Sequence, residues 1–222
     1  MRIAGFQKSS FVDYPGIISA VVFTPGCNMR CGYCHNKHIL GSDAPKVEPI
    51  EVMAYLTKRK GMIKGVVVTG GEPTLQPYLF EFISAIKNLG YKVKLDTNGT
   101  SPQKLNELIA VGLIDYVAMD LKAPVGKYSA VAGCEVDVEA VKKSVDIIKS
   151  SGINHEFRTT FCPMLTKEDI LEISLAMAGQ SDYYLQQYRQ VEGEGEPHPV
   201  KYLEETAEYL KANGGKCVLR GL

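Results

Sequence analysis

Three cysteines, Cys27, Cys31 and Cys34, stand at C-x3-C-x2-C spacing directly after the apolar run Ile17 to Phe23. Thiolates are ligands for soft metal centres. A structural zinc site takes four ligands, commonly as two C-x2-C pairs. This loop supplies three, at a different spacing. A cubane iron–sulfur cluster takes one thiolate on each iron. Three thiolates would leave one iron with an open position, as catalytic metals have and structural metals do not. On these residues alone a zinc loop is the competing reading.

The cysteine loop needs elements to position it. Ile17 to Phe23 reads as a first buried strand, after the turn Tyr14-Pro15-Gly16. Further strands are expected at Gly65–Thr69, Tyr91–Leu95, Tyr116–Met119, His155–Thr160 and Asp182–Gln187. Helical faces lie between them: on Val52, Tyr55 and Leu56; on Leu75 to Leu89; on Leu105, Leu108 and Ile109 after Ser101-Pro102; and on Val138 to Ile148. Thr166-Lys167-Glu168-Asp169 looks like a capping box, and Pro199 opens a last helix. Residues up to about 136 after the fourth strand read as loop. The leading segment is expected beside the first strand, and Lys216–Leu219 as a short final strand. Six strand–helix alternations imply parallel strands and right-handed crossovers. Six units are too few for a closed eight-fold barrel, so an open doubly wound sheet is also allowed.

Polar signatures follow successive strands: Gly70-Gly71-Glu72-Pro73, Asp96-Thr97-Asn98-Gly99, Asp120-Leu121-Lys122, Arg158 with Thr160, and Gln186, Gln187 and Arg189. Strand C-termini are where α/β barrels and sheets place their sites. Gly70 and Gly71 would let the backbone approach a ligand closely. Asp96 and Asp120, on adjacent strand ends, need positive charge between them. With Thr97 they offer oxygen ligands to a hard cation; a salt bridge from Lys122 is the alternative. Lys122 and Arg158 are cations on the same rim. His35 and Asn36 read as hydrogen-bonding residues of the cysteine loop, and His155 and His198 as incidental.

The cysteine loop after a first strand resembles that of the radical S-adenosylmethionine (SAM) enzymes. The wider phrase Gly5-Phe6-Gln7-Lys8-Ser9-Ser10-Phe11-Val12-Asp13-Tyr14-Pro15-Gly16 through Cys34-His35-Asn36 is similar to the activating enzymes of glycyl-radical enzymes, and within them to the activators of anaerobic ribonucleoside-triphosphate reductase. The resemblance implies an α/β fold of the partial (β/α)6 TIM-type barrel kind. It implies a [4Fe–4S] cluster on Cys27, Cys31 and Cys34, with SAM chelating the fourth iron. Tyr33 would then lie by the adenine, Gly70 and Gly71 by the amino group of SAM, and Glu72 either at that amino group or behind the residues that touch it. Asp96, Thr97, Asn98, Lys122 and Arg158 would complete the SAM site, with a monovalent cation at Asp96, Thr97 and Asp120. Arg189 stands where pyruvate formate-lyase activators carry a His. The implied activity is reductive SAM cleavage and hydrogen abstraction from a glycine of a partner glycyl-radical enzyme, with a flavodoxin- or ferredoxin-type electron donor. Activation of another glycyl-radical enzyme, or small-molecule chemistry like that of 7-carboxy-7-deazaguanine synthase, are neighbouring readings. An iron–sulfur electron-transfer module would need none of the rim residues.

The chain of 222 residues suffices for a single domain, with 1–16 as an N-terminal extension and 199–222 as a C-terminal helix and tail. Lys plus Arg and Asp plus Glu number 25 each, so there is no whole-chain case for nucleic acid or an anionic membrane. Lys58-Arg59-Lys60 reads as a solvated helix end. No signal segment or bilayer-length apolar run is present, and a cytoplasmic location is expected. Cys134, Cys162 and Cys217, isolated in sequence, read as buried small hydrophobes rather than disulfide partners.

Overall fold

Side chains alternate along each strand, and here the alternation sorts one sheet into two chemically different faces. The computed structural model describes residues 1–222. Its eight strands are hydrogen-bonded in sequence order: β1 (Gly5–Ser10), β2 (Ser19–Thr24), β3 (Gly65–Gly70), β4 (Lys92–Thr97), β5 (Tyr116–Asp120), β6 (Asn154–Phe161), β7 (Tyr183–Gln187) and β8 (Val218–Arg220). β1 is antiparallel to β2; every later pair is parallel. The helices are α1 (Pro49–Lys58), α2 (Leu79–Asn88), α3 (Pro102–Ala110), α4 (Tyr128–Ala132), α5 (Val138–Ser150), α6 (Lys167–Ile173) and α7 (Val200–Ala212). β2 to β7 are the six parallel strands of a partial (β/α) barrel, and the sheet does not close, since β1 and β8 do not pair.

Parallel register keeps partners on a common face. Val22, Val68, Leu95 and Val117 follow one another across the sheet on the helix side, all fully buried. They join Ile83, Leu108, Val141, Ile148 and Leu203 in one apolar core. Full burial of such a side chain contributes about 1.5–3 kcal/mol. With the helix side carrying the hydrophobic stabilisation, the inner face can hold charge. There the register places Lys94 beside Tyr116, Asp120 beside Arg158, and Gln186 beside Arg220.

Several boundaries differ from expectation. β4 and β5 run one or two residues further than their apolar runs, so Asp96, Thr97 and Asp120 lie within strands. Main-chain pairing with β5 and β6 continues through them. The helix expected from Leu75 begins at Leu79: Pro73–Leu75 is a 3-10 turn, Leu75 is half-exposed, and Tyr78 breaks the run at φ 60°. The stretch before residue 136 holds a 3-10 turn (Val125–Lys127) and α4. Ser101 precedes α3 but its side chain makes no capping hydrogen bond. The Thr166–Asp169 capping box is present in both directions. α1 ends at Lys58, with Arg59 and Lys60 exposed. No helix is long and apolar enough to cross a membrane.

Candidate active site

The C-terminal ends of the strands and the inner face of the sheet line a cavity of about 800 Å³. Cys27, Cys31, Cys34 and Tyr33 form one wall, with Gly70, Gly71, Asp96, Thr97, Asn98, Asp120, Lys122 and Arg158 around them. Thr160, Gln186, Gln187, Arg189 and His35 also line it. The polar positions expected on the strand ends thus face one space, with one exception.

That exception is Glu72. It lies fully buried beneath the cavity floor rather than in its lining. Its carboxylate accepts from the Thr74 N–H (3.0 Å) and hydroxyl (2.6 Å), the Thr97 hydroxyl (2.8 Å) and the Asn98 N–H (2.7 Å). Burial pushes its carboxyl above the usual range, and these donors pull it part of the way back. Glu72 thereby fixes the turn after β4. The glycines before it also act on the chain itself. A Cβ on Gly71 would collide with the Gly26 carbonyl oxygen, and one on Gly70 with the Thr24 backbone. Gly71 N–H donates to Thr24 O and Glu72 N–H to Gly26 O, both at 2.8 Å. The missing side chains let β3 seat the start of the cysteine loop.

The loop is held from several sides. Asn36 Nδ2 donates to Gly70 O at 2.9 Å, and Arg30 N–H to Ala132 O at 2.8 Å. Asn98 Nδ2 donates to Asn28 Oδ1 at 2.9 Å and stands 3.8 Å from Cys27 Sγ, which also accepts from Met29 N–H at 3.4 Å. Burial pushes the Cys27 and Cys31 thiols up, against the pull of the Lys122 charge on both. Metal entry at these positions must displace protons. Tyr33 packs edge-on against Tyr188 with Lys122 Nζ 5.9 Å from its ring centre.

A charge ladder lines the same cavity. Lys94 Nζ meets Asp96 Oδ1 at 2.5 Å. Arg158 bridges Asp96 (3.3 Å) and Asp120 (2.8 Å), and Lys122 meets Asp120 at 3.0 Å. Deeper, Arg220 grips Glu156 with two contacts, 3.0 and 2.9 Å, and Tyr116 donates to the same carboxylate at 3.3 Å. Burial would raise Asp120, but Arg158 and Lys122 outweigh it and hold its carboxyl at about 2. Asp96 is lowered on the same balance, by Arg158 and Lys94 against burial. The positive charge between the two aspartates is therefore the Arg158 guanidinium, and Thr97's hydroxyl is committed to Glu72. The salt bridge from Lys122 to Asp120, the alternative to a cation at Asp96, Thr97 and Asp120, is present. Four cations (Lys94, Lys122, Arg158, Arg220) face three carboxylates (Asp96, Asp120, Glu156).

Lys94, Glu156 and Arg220 escaped the sequence reading. The signal was present for the first two, since Lys92-Val93-Lys94-Leu95-Asp96 and Glu156-Phe157-Arg158 alternate with the period of a strand whose faces differ. Arg220 had none, because three residues set no period. The bland readings hold elsewhere. His155 binds Ile153 O and Ser181 Oγ, and His198 binds Leu165 O and packs on Phe161. Cys162 is buried and Cys134 and Cys217 partly so; all six cysteines are free thiols.

The profile of the Radical SAM superfamily matches residues 21–176, a span that contains the three cysteines and every strand from β3 to β6. The chain belongs to the radical SAM superfamily, and its fold, cysteine loop and polar inner face are those of a radical SAM enzyme. It is 37% identical over 192 residues to a Methanocaldococcus jannaschii protein named as a glycyl-radical enzyme activating enzyme, covering 84% of this chain and 79% of that one. This places it in the activating branch. It is also 36% identical over 130 residues to the pyruvate formate-lyase 1-activating enzyme of Escherichia coli K12, covering 54% of this chain and 52% of that one. Streptococcus suis SuiB bound to its precursor peptide SuiA shares the fold, with TM-score 0.70 at 16% identity over 90% of this chain and 48% of that chain. The chain thus spans about half the length of the last two. Membership implies a [4Fe–4S] cluster and SAM.

Proposed function

We propose that this chain is an activase that installs a glycyl radical on a partner enzyme, with a cluster held by Cys27, Cys31 and Cys34. One observation carries the reading: the three thiols and the charge ladder line a single cavity. The donor set suits both groups. Three thiols leave one position of a cubane unfilled, and the ladder offers both signs of charge to a zwitterion. Two buried polar atoms in the lining, the Tyr33 hydroxyl and Gln187 Oε1, have no hydrogen-bond partner in the protein. Buried orphans of this kind are uncommon and mark places for a ligand.

When bound, the cluster and SAM would supply the radical chemistry: reductive cleavage of SAM and abstraction of a hydrogen atom from a glycine Cα. The chain's own residues bind, orient and shield. Asn98 and the Met29 N–H point toward the Cys27 sulfur and favour its thiolate. Arg158 and Lys122 present cations to a carboxylate, and Gly70, Gly71 and Asn98 shape the wall facing the amino group. Tyr33 closes the space beside the cysteines. The partner is a glycyl-radical enzyme, for which the loop phrase favours anaerobic ribonucleoside-triphosphate reductase. The electron donor is of the flavodoxin or ferredoxin type.

The test is anaerobic reconstitution with iron and sulfide, then mixing with SAM, reductant and the reductase. The expected results are methionine and 5′-deoxyadenosine as products and a glycyl-radical EPR signal on the reductase. Absence of SAM cleavage by a protein that shows cluster absorbance would sink the proposal. SAM cleavage with no signal on any glycyl-radical partner would leave small-molecule chemistry in its place.

A further inference from the structure

Tyr33 stands in the chain between two of the proposed cluster ligands, Cys31 and Cys34. Its side chain lines two spaces. One is the reaction cavity. The other is a second cavity of about 300 Å³, lined also by Arg30, Cys162 and Tyr188. Tyr33 is buried, and Tyr188 packs edge-on against it with ring centres 6.5 Å apart. Yet the Tyr33 hydroxyl is bonded to nothing in the protein. A buried tyrosine usually finds a partner for its O–H, because an unpaired one is costly.

The ionisable groups around this hydroxyl are Lys122, Cys31, Cys162 and Asp120. Lys122 only donates. The Asp120 carboxylate is engaged by Lys122 at 3.0 Å and by Arg158 at 2.8 Å. Cys162 is outside the ligand set and stays a thiol, a weak acceptor. Cys31 differs from all three. Its sulfur lies beside the hydroxyl, and no other donor bonds it, whereas the Cys27 sulfur accepts from the Met29 N–H at 3.4 Å. A cysteine that binds metal does so as a thiolate. A thiolate is a charged and therefore strong acceptor. The unpaired hydroxyl thus gains its partner when metal is bound.

We propose that the Tyr33 hydroxyl donates a hydrogen bond to the Cys31 sulfur of the assembled cluster and so raises the cluster's reduction potential. This rests on the cluster assignment above, and it is separate from any contact of the Tyr33 ring with SAM. Hydrogen bonds to the sulfurs are among the levers that set an iron–sulfur potential. Reduction adds negative charge, so a donor aimed at sulfur stabilises the reduced form more than the oxidised one. Phenylalanine would pack in the same place and lack this effect.

The test is a redox titration of the reconstituted protein without SAM, followed by the EPR signal of the reduced cluster. Tyr33→Phe removes the hydroxyl and keeps the ring. At the wild-type midpoint its ratio of reduced to oxidised cluster should fall about tenfold, the scale of one hydrogen bond to a charged group, which is a shift of about 60 mV to the negative. Replacing Tyr33 by 3-fluorotyrosine, a stronger donor of nearly the same shape, should shift the midpoint the other way. Tyr188→Phe removes a hydroxyl from the neighbouring ring and should leave the midpoint in place. Packing changes do not follow donor strength, so opposite shifts assign the effect to the hydroxyl. An unchanged midpoint in Tyr33→Phe, shifts of one sign in both Tyr33 variants, or an equal shift in Tyr188→Phe overturns the proposal and leaves the activase reading standing. If Tyr33→Phe holds no cluster, the fluorotyrosine protein decides: a positive shift supports the proposal and none overturns it. A wild-type protein that assembles no cluster removes the cluster assignment and this proposal with it.

Discussion

Glu72 shows how a residue can matter to a site it does not touch. Its carboxylate accepts four hydrogen bonds, two of them from the β4 end that carries Asn98 toward Cys27. Glu72→Gln replaces one acceptor oxygen by a donor, and the Thr74 and Asn98 N–H groups cannot reverse. The expected cost is about 1–3 kcal/mol, read as a lower Tm of the cluster-free protein. Asp120 carries a pH signature. A carboxylate lowered from 3.8 to about 2 stabilises the fold fully above 3.8 and loses that contribution as pH falls toward 2. Asp120→Asn should lower stability at neutral pH and flatten the acid limb, so that the two unfolding curves converge near pH 2. Parallel curves at all pH values would remove the ion pair from the account.

At the scale of elements, the Gly-Gly turn after β3 is a packing device. Gly71→Ala would press a methyl group into the Gly26 carbonyl, and Gly26 is itself held by its N–H to Ile39 O at 3.0 Å. Overpacking of this kind costs about 1–3 kcal/mol. The variant should melt earlier and hold less iron per chain after reconstitution, because the displaced segment leads into Cys27. Unchanged melting would show that the loop has slack. Inner-face alternation is the other element-scale device. It puts Lys94 on the same ladder as Asp96, and Arg158 directly beside Asp120, without any loop having to fold over them.

For the whole molecule, the ladder runs from β4 to β8 and supplies its own counter-charge. Four cations against three carboxylates leave no deficit that an added alkali ion must fill. SAM cleavage should therefore change little when potassium is exchanged for sodium or for a bulky ammonium at constant ionic strength. A steep potassium requirement would show that Arg158 withdraws in the working enzyme. The parts that build this site lie far apart in sequence, and only the arrangement of the strands around one cavity brings Cys27 to Asn98 and Arg158 to Asp96.

By itself the sequence showed an incomplete thiolate metal site and the polar strand ends around it, and the family resemblance of that loop implied the chemistry class. Three thiols within one short loop, and polar runs after successive strands, are local patterns, and local patterns survive without coordinates. The six-strand alternation was legible for the same reason, because buried parallel strands are uninterrupted β-branched runs. Tertiary structure decided what those residues touch. Gly70 and Gly71 line the cavity and also seat the cysteine loop, and Glu72 is buried under the turn after β4. The charge between Asp96 and Asp120 is Arg158, over 60 residues from the first and on a strand two away. Arg220, the end of the ladder, sits on a strand too short to show a period. Pairing across a sheet depends on register between distant segments, and no window of sequence contains it.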